Sequence, residues 1–152
     1  MLSTLTCTRR LTFCAGHRVM GHESKCAHLH GHNYVVHITA GAVMNTLDTI
    51  GRVIDFSVLK AKIGTWLDDH WDHGFVLYED DEAGQLAMRE FNGTSGISQK
   101  LFLLPYNPTA ENMAKFLGEV VCPAALEGTG VMIIRVKVEE TENCSAVWID
   151  ES

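Results

Sequence analysis

Six of the eight histidines in this sequence fall between His17 and His37, and three of them are spaced to work on a single ion. His30 and His32 are separated by one residue, so on an extended strand both imidazoles project to the same side. His17 closes an earlier strand-like run, and an antiparallel return sets that end beside the start of the next strand. Three imidazoles leave one position of a tetrahedral ion open, the arrangement of a catalytic rather than a structural zinc, with Zn–N bonds of about 2.1 Å. The competing reading is a polar loop carrying solvated histidines, and for His22, His28 and His37 that is the expectation.

Further groups could act beside such an ion. Cys26 stands four residues before His30. Near a divalent cation its thiol would ionise and serve as a base; as a fourth ligand it would close the site; and an inert buried thiol is the common fate of a cysteine, the reading taken for the other four. Asp72-His73 offers a carboxylate that can orient an imidazole for proton transfer. Asp69-His70 has the same look, and capping or surface roles remain open for both pairs. Glu140 continues the face of Ile134, Val136 and Val138, so strand alternation aims a carboxylate at an apolar region where it needs donors. A planar pair of ligand N–H groups would supply them in bidentate form; a solvated Glu140 just past the strand is the alternative.

The elements that must position these groups are legible in outline. Leu5 to Cys14 and Asn33 to Val43 read as strands joined by a long Gly/His/Lys-rich connection. Leu59, Ile63, Trp66 and Leu67 recur at helical spacing behind the capping residues Asp55 and Ser57. A second helix opens at Pro108-Thr109, carries Met113, Phe116, Leu117, Val120 and Val121, and stops at Pro123. Between them lie a short helix at about Glu82 to Phe91 and a loop-like Asn92 to Gly96. Val131 to Glu140 alternates strictly, and Cys144 to Ile149 supplies a last strand. The order strand-strand-helix-helix-strand-strand predicts an α+β fold with a four-stranded antiparallel sheet and two helices on one face.

The chain has 152 residues, suited to a single domain over 1–152, and 12 Lys+Arg against 19 Asp+Glu give a formal charge of -7. That balance speaks against a bulk nucleic-acid binder, which needs a basic face. No apolar run reaches the roughly 20 residues that span a bilayer, and the first residues lack the order of a secretory signal. No membrane association and a cytoplasmic location are the expectation. Five cysteines with no Cys-x-x-Cys among them do not make a disulfide framework. No Gly-x-x-x-x-Gly-Lys loop is present; Arg18, Lys25, Arg52 and Lys137 are possible phosphate contacts only because they are cationic, with a solvated surface role the expectation for each.

Taken together, Phe13-x-Ala15-x-His17, Cys26-x-x-x-His30-Gly31-His32-Asn33-Tyr34, Val53-Ile54-Asp55-Phe56, Asp72-His73, Pro108-Thr109-Ala110-Glu111-Asn112 and Glu140-Thr141 resemble the 6-pyruvoyl-tetrahydropterin synthase family. The matches run in family order from about residue 13 to 148. The resemblance implies the tunnelling fold (ββααββ), zinc on His17, His30 and His32, and a catalytic Cys26 working with Asp72 and His73. It favours Asp72-His73 over Asp69-His70. It implies that Glu140 anchors a pterin ring and that Thr109 and Glu111 lie in the segment that helps hold it. It further implies a homo-oligomer, trimers stacking into a hexamer, with pockets at subunit interfaces.

Three residues between Cys26 and the His-Gly-His resemble the bacterial branch that makes 6-carboxy-tetrahydropterin on the queuosine and deazapurine route. The implied reaction is a zinc-dependent lyase step on 7,8-dihydroneopterin triphosphate, with loss of triphosphate and acetaldehyde. The alternatives are the 6-pyruvoyl product, which keeps the side-chain carbons, and a zinc- or pterin-binding module without activity. A cupin-like His-x-His site would want a Glu three or four residues beyond the second His, and Tyr34 to His37 offers none. The chain departs from compact members of the branch in an extra stretch from about 79 to 104.

Overall fold

The computed structural model describes residues 4–152. Strands β1 (Thr6–His17) and β2 (His30–Ala42) form a long antiparallel ribbon. They are followed by β3 (Gly74–Tyr78), β4 (Lys100–Leu104), β5 (Val131–Thr141) and β6 (Cys144–Ile149), in the sheet order β4-β3-β1-β2-β5-β6. Helix α1 runs through Phe56–Leu59, a π turn Lys60–Gly64 and Thr65–His70. Helix α2 is Glu82–Ser95, and α3 runs through Ala110–Phe116, a π turn Leu117–Val121 and Cys122–Ala125.

One face of the sheet carries the core. Leu11, Phe13 and Ala15 from β1, Tyr34, Val36, Ile38 and Ala40 from β2, and Val136 and Val138 from β5 are buried there, meeting Leu59, Ile63 and Leu67 of α1 and Met113, Leu117 and Val121 of α3. Each helix buries residues four apart. In a pure α-helix such a row drifts by about 40° at every step. The π turn at the middle of each helix holds an extra residue per turn and takes the drift back, so the apolar row stays on the sheet. Asp55 and Thr109 cap the two helices, accepting from the Ser57 and Asn112 amides. Gly118 lets α3 lie on β6: a Cβ there would overlap the Trp148 ring.

The fold is α+β, but the sheet has six strands and is mixed rather than four-stranded and antiparallel. β3 pairs parallel with both β1 and β4, and α2 makes the crossover between β3 and β4. Both strands are five residues long and read as apolar runs without alternation, which periodicity cannot tell from a segment of helix. The Asn92-to-Gly96 stretch is not a loop. It continues α2, which Gly96 ends in the left-handed conformation (φ 75°). Pro123 does not end α3 either; it falls at the start of the segment after the π turn, where proline is tolerated. The strict alternation of β5 breaks at a bulge opposite Thr39 and Ala40, so Ile133 is buried in place of Ile134.

Candidate metal centre and active site

The β1–β2 register builds the histidine cluster. His17 pairs with His30, and Ala15 pairs with His32. Because side chains alternate, His17, His30 and His32 converge at one end of the ribbon, with ring centroids 4.6 to 5.1 Å apart. Their potential ligand atoms all lie within 4.8 Å of one another.

Two of the rings have fixed tautomers. His17 Nδ1 lies 2.6 Å from the Pro108 carbonyl and His30 Nδ1 lies 2.7 Å from the His28 carbonyl. A carbonyl only accepts, so each Nδ1 carries a hydrogen and each Nε2 is the atom turned to the cluster as a potential metal ligand. His17 is 1% exposed. Burial is the main reason its pKa falls to about 4; repulsion from His30 and His32 adds to this, against a raising effect of the Pro108 hydrogen bond. Burial also lowers His32.

The residues fit a metal ion. Nε2 of His17 and Nε2 of His32 are buried without a hydrogen-bond partner, a costly state for acceptors that a cation at their convergence would relieve. Three imidazoles with no thiolate or carboxylate in the set suit zinc with an open position. Among the described residues, the cluster holds these three side chains alone, so Cys26 is not a fourth member.

Glu140 faces the cluster as the alternation of β5 implies. Its two carboxylate oxygens lie 3.9 Å from Nε2 of His17 and of His32. It is the unpaired residue of a second bulge, between the pairs Glu139–Ser145 and Thr141–Cys144, and such bulges re-aim side chains. Its neighbour Glu139 turns the other way, onto Lys137 and His37. Tyr34, buried and stacked on Phe13 at 4.8 Å, packs its ring edgewise to His17 and His32. Its hydroxyl has no partner, and burial, with the Glu140 charge, raises its pKa well above the ordinary phenol range.

Cys26 is half-buried on a helical turn, Lys25–Ala27, in the β1–β2 connection. The Val19 amide donates to its carbonyl at 2.7 Å, closing the loop back on the end of β1.

Asp72 and His73 form a pair just ahead of β3, tied to β1. One Asp72 oxygen accepts from the Cys14 amide at 2.8 Å, and the other accepts from His73 Nδ1–H at 2.8 Å. Burial acts to raise the Asp72 pKa, but these hydrogen bonds and nearby Lys100 outweigh it and hold the carboxyl low. His73 takes a left-handed backbone (φ 56°), rare for a residue with a Cβ. Its amide donates to Cys14 and its carbonyl accepts from the Gln99 side chain. The ring is left 78% exposed, and His73 and His30 share the wall of one open depression of about 360 Å³. His70, by contrast, lies on Trp66 at 4.7 Å.

Thr109 accepts from the Asn112 amide as the cap of α3, and Glu111 is exposed in its first turn. His22, His28 and His37 bond to Ser24, Lys25 and Glu139, outside the cluster. Of the four cations, Arg52 is engaged with Asp48 and Asp55 and Lys137 with Glu139. Arg18 is not a solvated surface residue. Its guanidinium binds both oxygens of Asp81 and the Ala27 carbonyl. Residues 18 and 81 are too far apart for any local spacing to reveal the pair.

Three imidazoles on a β ribbon, with a carboxylate 3.9 Å from two of them, form the candidate metal centre of an α+β protein. The model of the 6-pyruvoyl tetrahydropterin synthase family matches residues 6–151. The 6-carboxy-5,6,7,8-tetrahydropterin synthase of Rickettsia felis is 40% identical over 141 residues, 92% of this chain and 96% of that protein. A probable 6-carboxy-5,6,7,8-tetrahydropterin synthase of Halobacterium salinarum is 32% identical, over 91% of this chain and 82% of that protein. Among solved structures, an uncharacterized protein of Wolinella succinogenes superposes with a TM-score of 0.81 at 23% identity, covering 99% of this chain and 100% of that one. The 6-pyruvoyl tetrahydropterin synthase of Caenorhabditis elegans does so with a TM-score of 0.66 at 23% identity, covering 99% and 98%. The chain belongs to the 6-pyruvoyl tetrahydropterin synthase family. Among its described residues, no helix is long and apolar enough to cross a membrane.

Proposed function

We propose that this chain is a zinc-dependent lyase that converts 7,8-dihydroneopterin triphosphate, with one water, into 6-carboxy-5,6,7,8-tetrahydropterin, acetaldehyde and triphosphate. Its product would enter the queuosine and 7-deazapurine route in the cytoplasm. The observation that carries the reading is the convergence of His17, His30 and His32, with two orphaned Nε2 atoms, beside Glu140. The relatives that match over most of the chain support the carboxy product.

His17, His30 and His32 would hold zinc, which when bound supplies Lewis acidity to the side-chain oxygens of the substrate. Glu140 would accept two N–H groups of the pterin ring and fix its orientation. Cys26 as thiolate would take a proton from the side-chain carbon. Asp72 holds His73 Nδ1–H, so Nε2 of His73 is the atom free to carry protons to and from the substrate. Thr109 uses its oxygen as an acceptor for Asn112, which leaves its O–H to donate to the ligand. Glu111 is assigned to the same wall.

A homo-oligomer, a trimer or a hexamer, would complete the pocket. Support comes from the 78% exposure of His73 and from sheet edges at β4 and β6 that carry exposed Leu103, Val147 and Ile149. The test is product analysis by mass spectrometry with the zinc-loaded protein. Acetaldehyde and the 6-carboxy product are expected; a 6-pyruvoyl product would make it a pyruvoyl synthase, and no turnover would leave a binding module. Cys26→Ala should retain the metal and lose turnover; normal turnover in that variant would overturn the assignment.

A further inference from the structure

The stretch between β3 and β4 has a role that follows from one buried ion pair. Asp81, at the start of that stretch, is 1% exposed. Its carboxylate accepts from Arg18 Nε at 2.6 Å and from a terminal guanidinium nitrogen at 2.8 Å, and it caps α2 by accepting from the Gly84 amide at 3.0 Å. The other terminal nitrogen of Arg18 donates to the Ala27 carbonyl at 3.0 Å. Arg18 follows the metal-site residue His17, and Ala27 follows Cys26. A single planar fork therefore ties three segments together: the end of β1, the turn bearing Cys26, and the N-terminus of α2.

We propose that Arg18 and Asp81 are positioning residues that hold the Cys26 turn in place at the end of β1, beside His17 in the chain, and that Asp81 at the start of α2 supplies the buried anchor. The fork geometry is what the role needs. A bidentate Arg–carboxylate pair fixes the plane of the guanidinium, and the remaining donor then reaches the Ala27 carbonyl in one direction. Among the described residues, the Val19 amide on the Cys26 carbonyl is the other hydrogen bond from the segment that follows β1 to this turn. Its own bonds, from Ala27 to Ser24 and from His28 to Lys25, are local. Without the fork the turn keeps its shape but not its place. A lysine at position 18 would keep the charge pair and lose the bridge, so it separates positioning from charge neutralisation.

The kinetic arm of the test rests on the lyase reading; the chemical arm does not. Asp81→Asn preserves a capping oxygen for α2, and Arg18→Lys preserves the charge. Both are compared with the zinc-loaded wild type for kcat, KM, metal content and the rate of iodoacetamide alkylation at Cys26. Peptide mass spectrometry reads the alkylation, with exposed Cys144 as the internal reference. The expected result for both variants is at least a tenfold loss in kcat with KM within twofold, full metal content, and a Cys26-to-Cys144 alkylation ratio at least three times that of the wild type. Unchanged kcat with an unchanged alkylation ratio overturns the proposal, as does an equal loss of metal and kcat without a change in the ratio. If the wild type makes no 6-carboxy product, the lyase reading fails, and the alkylation ratio alone still decides whether the fork holds the turn.

Discussion

Acid should destabilise the metal-free protein through His17, and the size of the effect follows from its burial. The ordinary value of 6.5 applies to the unfolded chain, and the folded value is about 4. Between these values the unfolded state binds the extra proton, so stability is fully present above pH 6.5 and falls as pH drops towards 4. The full difference of about 2.5 units corresponds to about 3.4 kcal/mol, and about 2 kcal/mol of it is lost between pH 7.5 and pH 5. His17→Gln removes the titrating group while keeping a side chain able to donate to the Pro108 carbonyl. The assay is urea unfolding in chelator at fixed protein concentration, at pH 7.5 and pH 5, for wild type and variant. The wild type should lose about 2 kcal/mol more than His17→Gln over that interval. If the two proteins lose the same amount, the buried neutral imidazole, and with it the waiting lone pair on His17 Nε2, is refuted.

Two further outcomes are expected. Gly118→Ala places a Cβ in the Trp148 ring; overpacking of this kind costs about 1–3 kcal/mol, measurable as a fall in the urea midpoint with an unchanged slope, and a neutral result would refute the close α3–β6 contact. Asp72→Asn keeps the Cys14 hydrogen bond but no longer holds His73 as an anion can. It should lower kcat by about two orders of magnitude with metal content unchanged, and full activity would remove His73 from the proton path.

Much of the centre is legible in the sequence because its signals are local. His30 and His32 share a strand face by alternation alone, and His17 joins them through the simplest return a strand can make. Alternation sets Glu140 on the face of Val136 and Val138 for the same reason, although it is interrupted upstream at Ile134. Asp72-His73 and Asp69-His70 were indistinguishable by residue type. What separates them is the Cys14 amide, which reaches Asp72 across 58 residues of sequence, and the Trp66 ring, which occupies His70. Arg18 read as a free surface cation because the carboxylate that claims it lies 63 residues away.

Residue order by itself determined which side chains alternate on each strand, where α1 and α3 begin, and which imidazoles could meet, since these depend on the fixed periods of the backbone and on caps a few residues away. Only the tertiary structure decided the parallel pairing of β3 with β1 and β4, the bulges that set Ile133 inward and carry Glu140, the left-handed turn at His73, and the Arg18–Asp81 fork. Each of those is a choice among partners distant in sequence. It is made by hydrogen bonds and burial that exist only once the sheet has assembled.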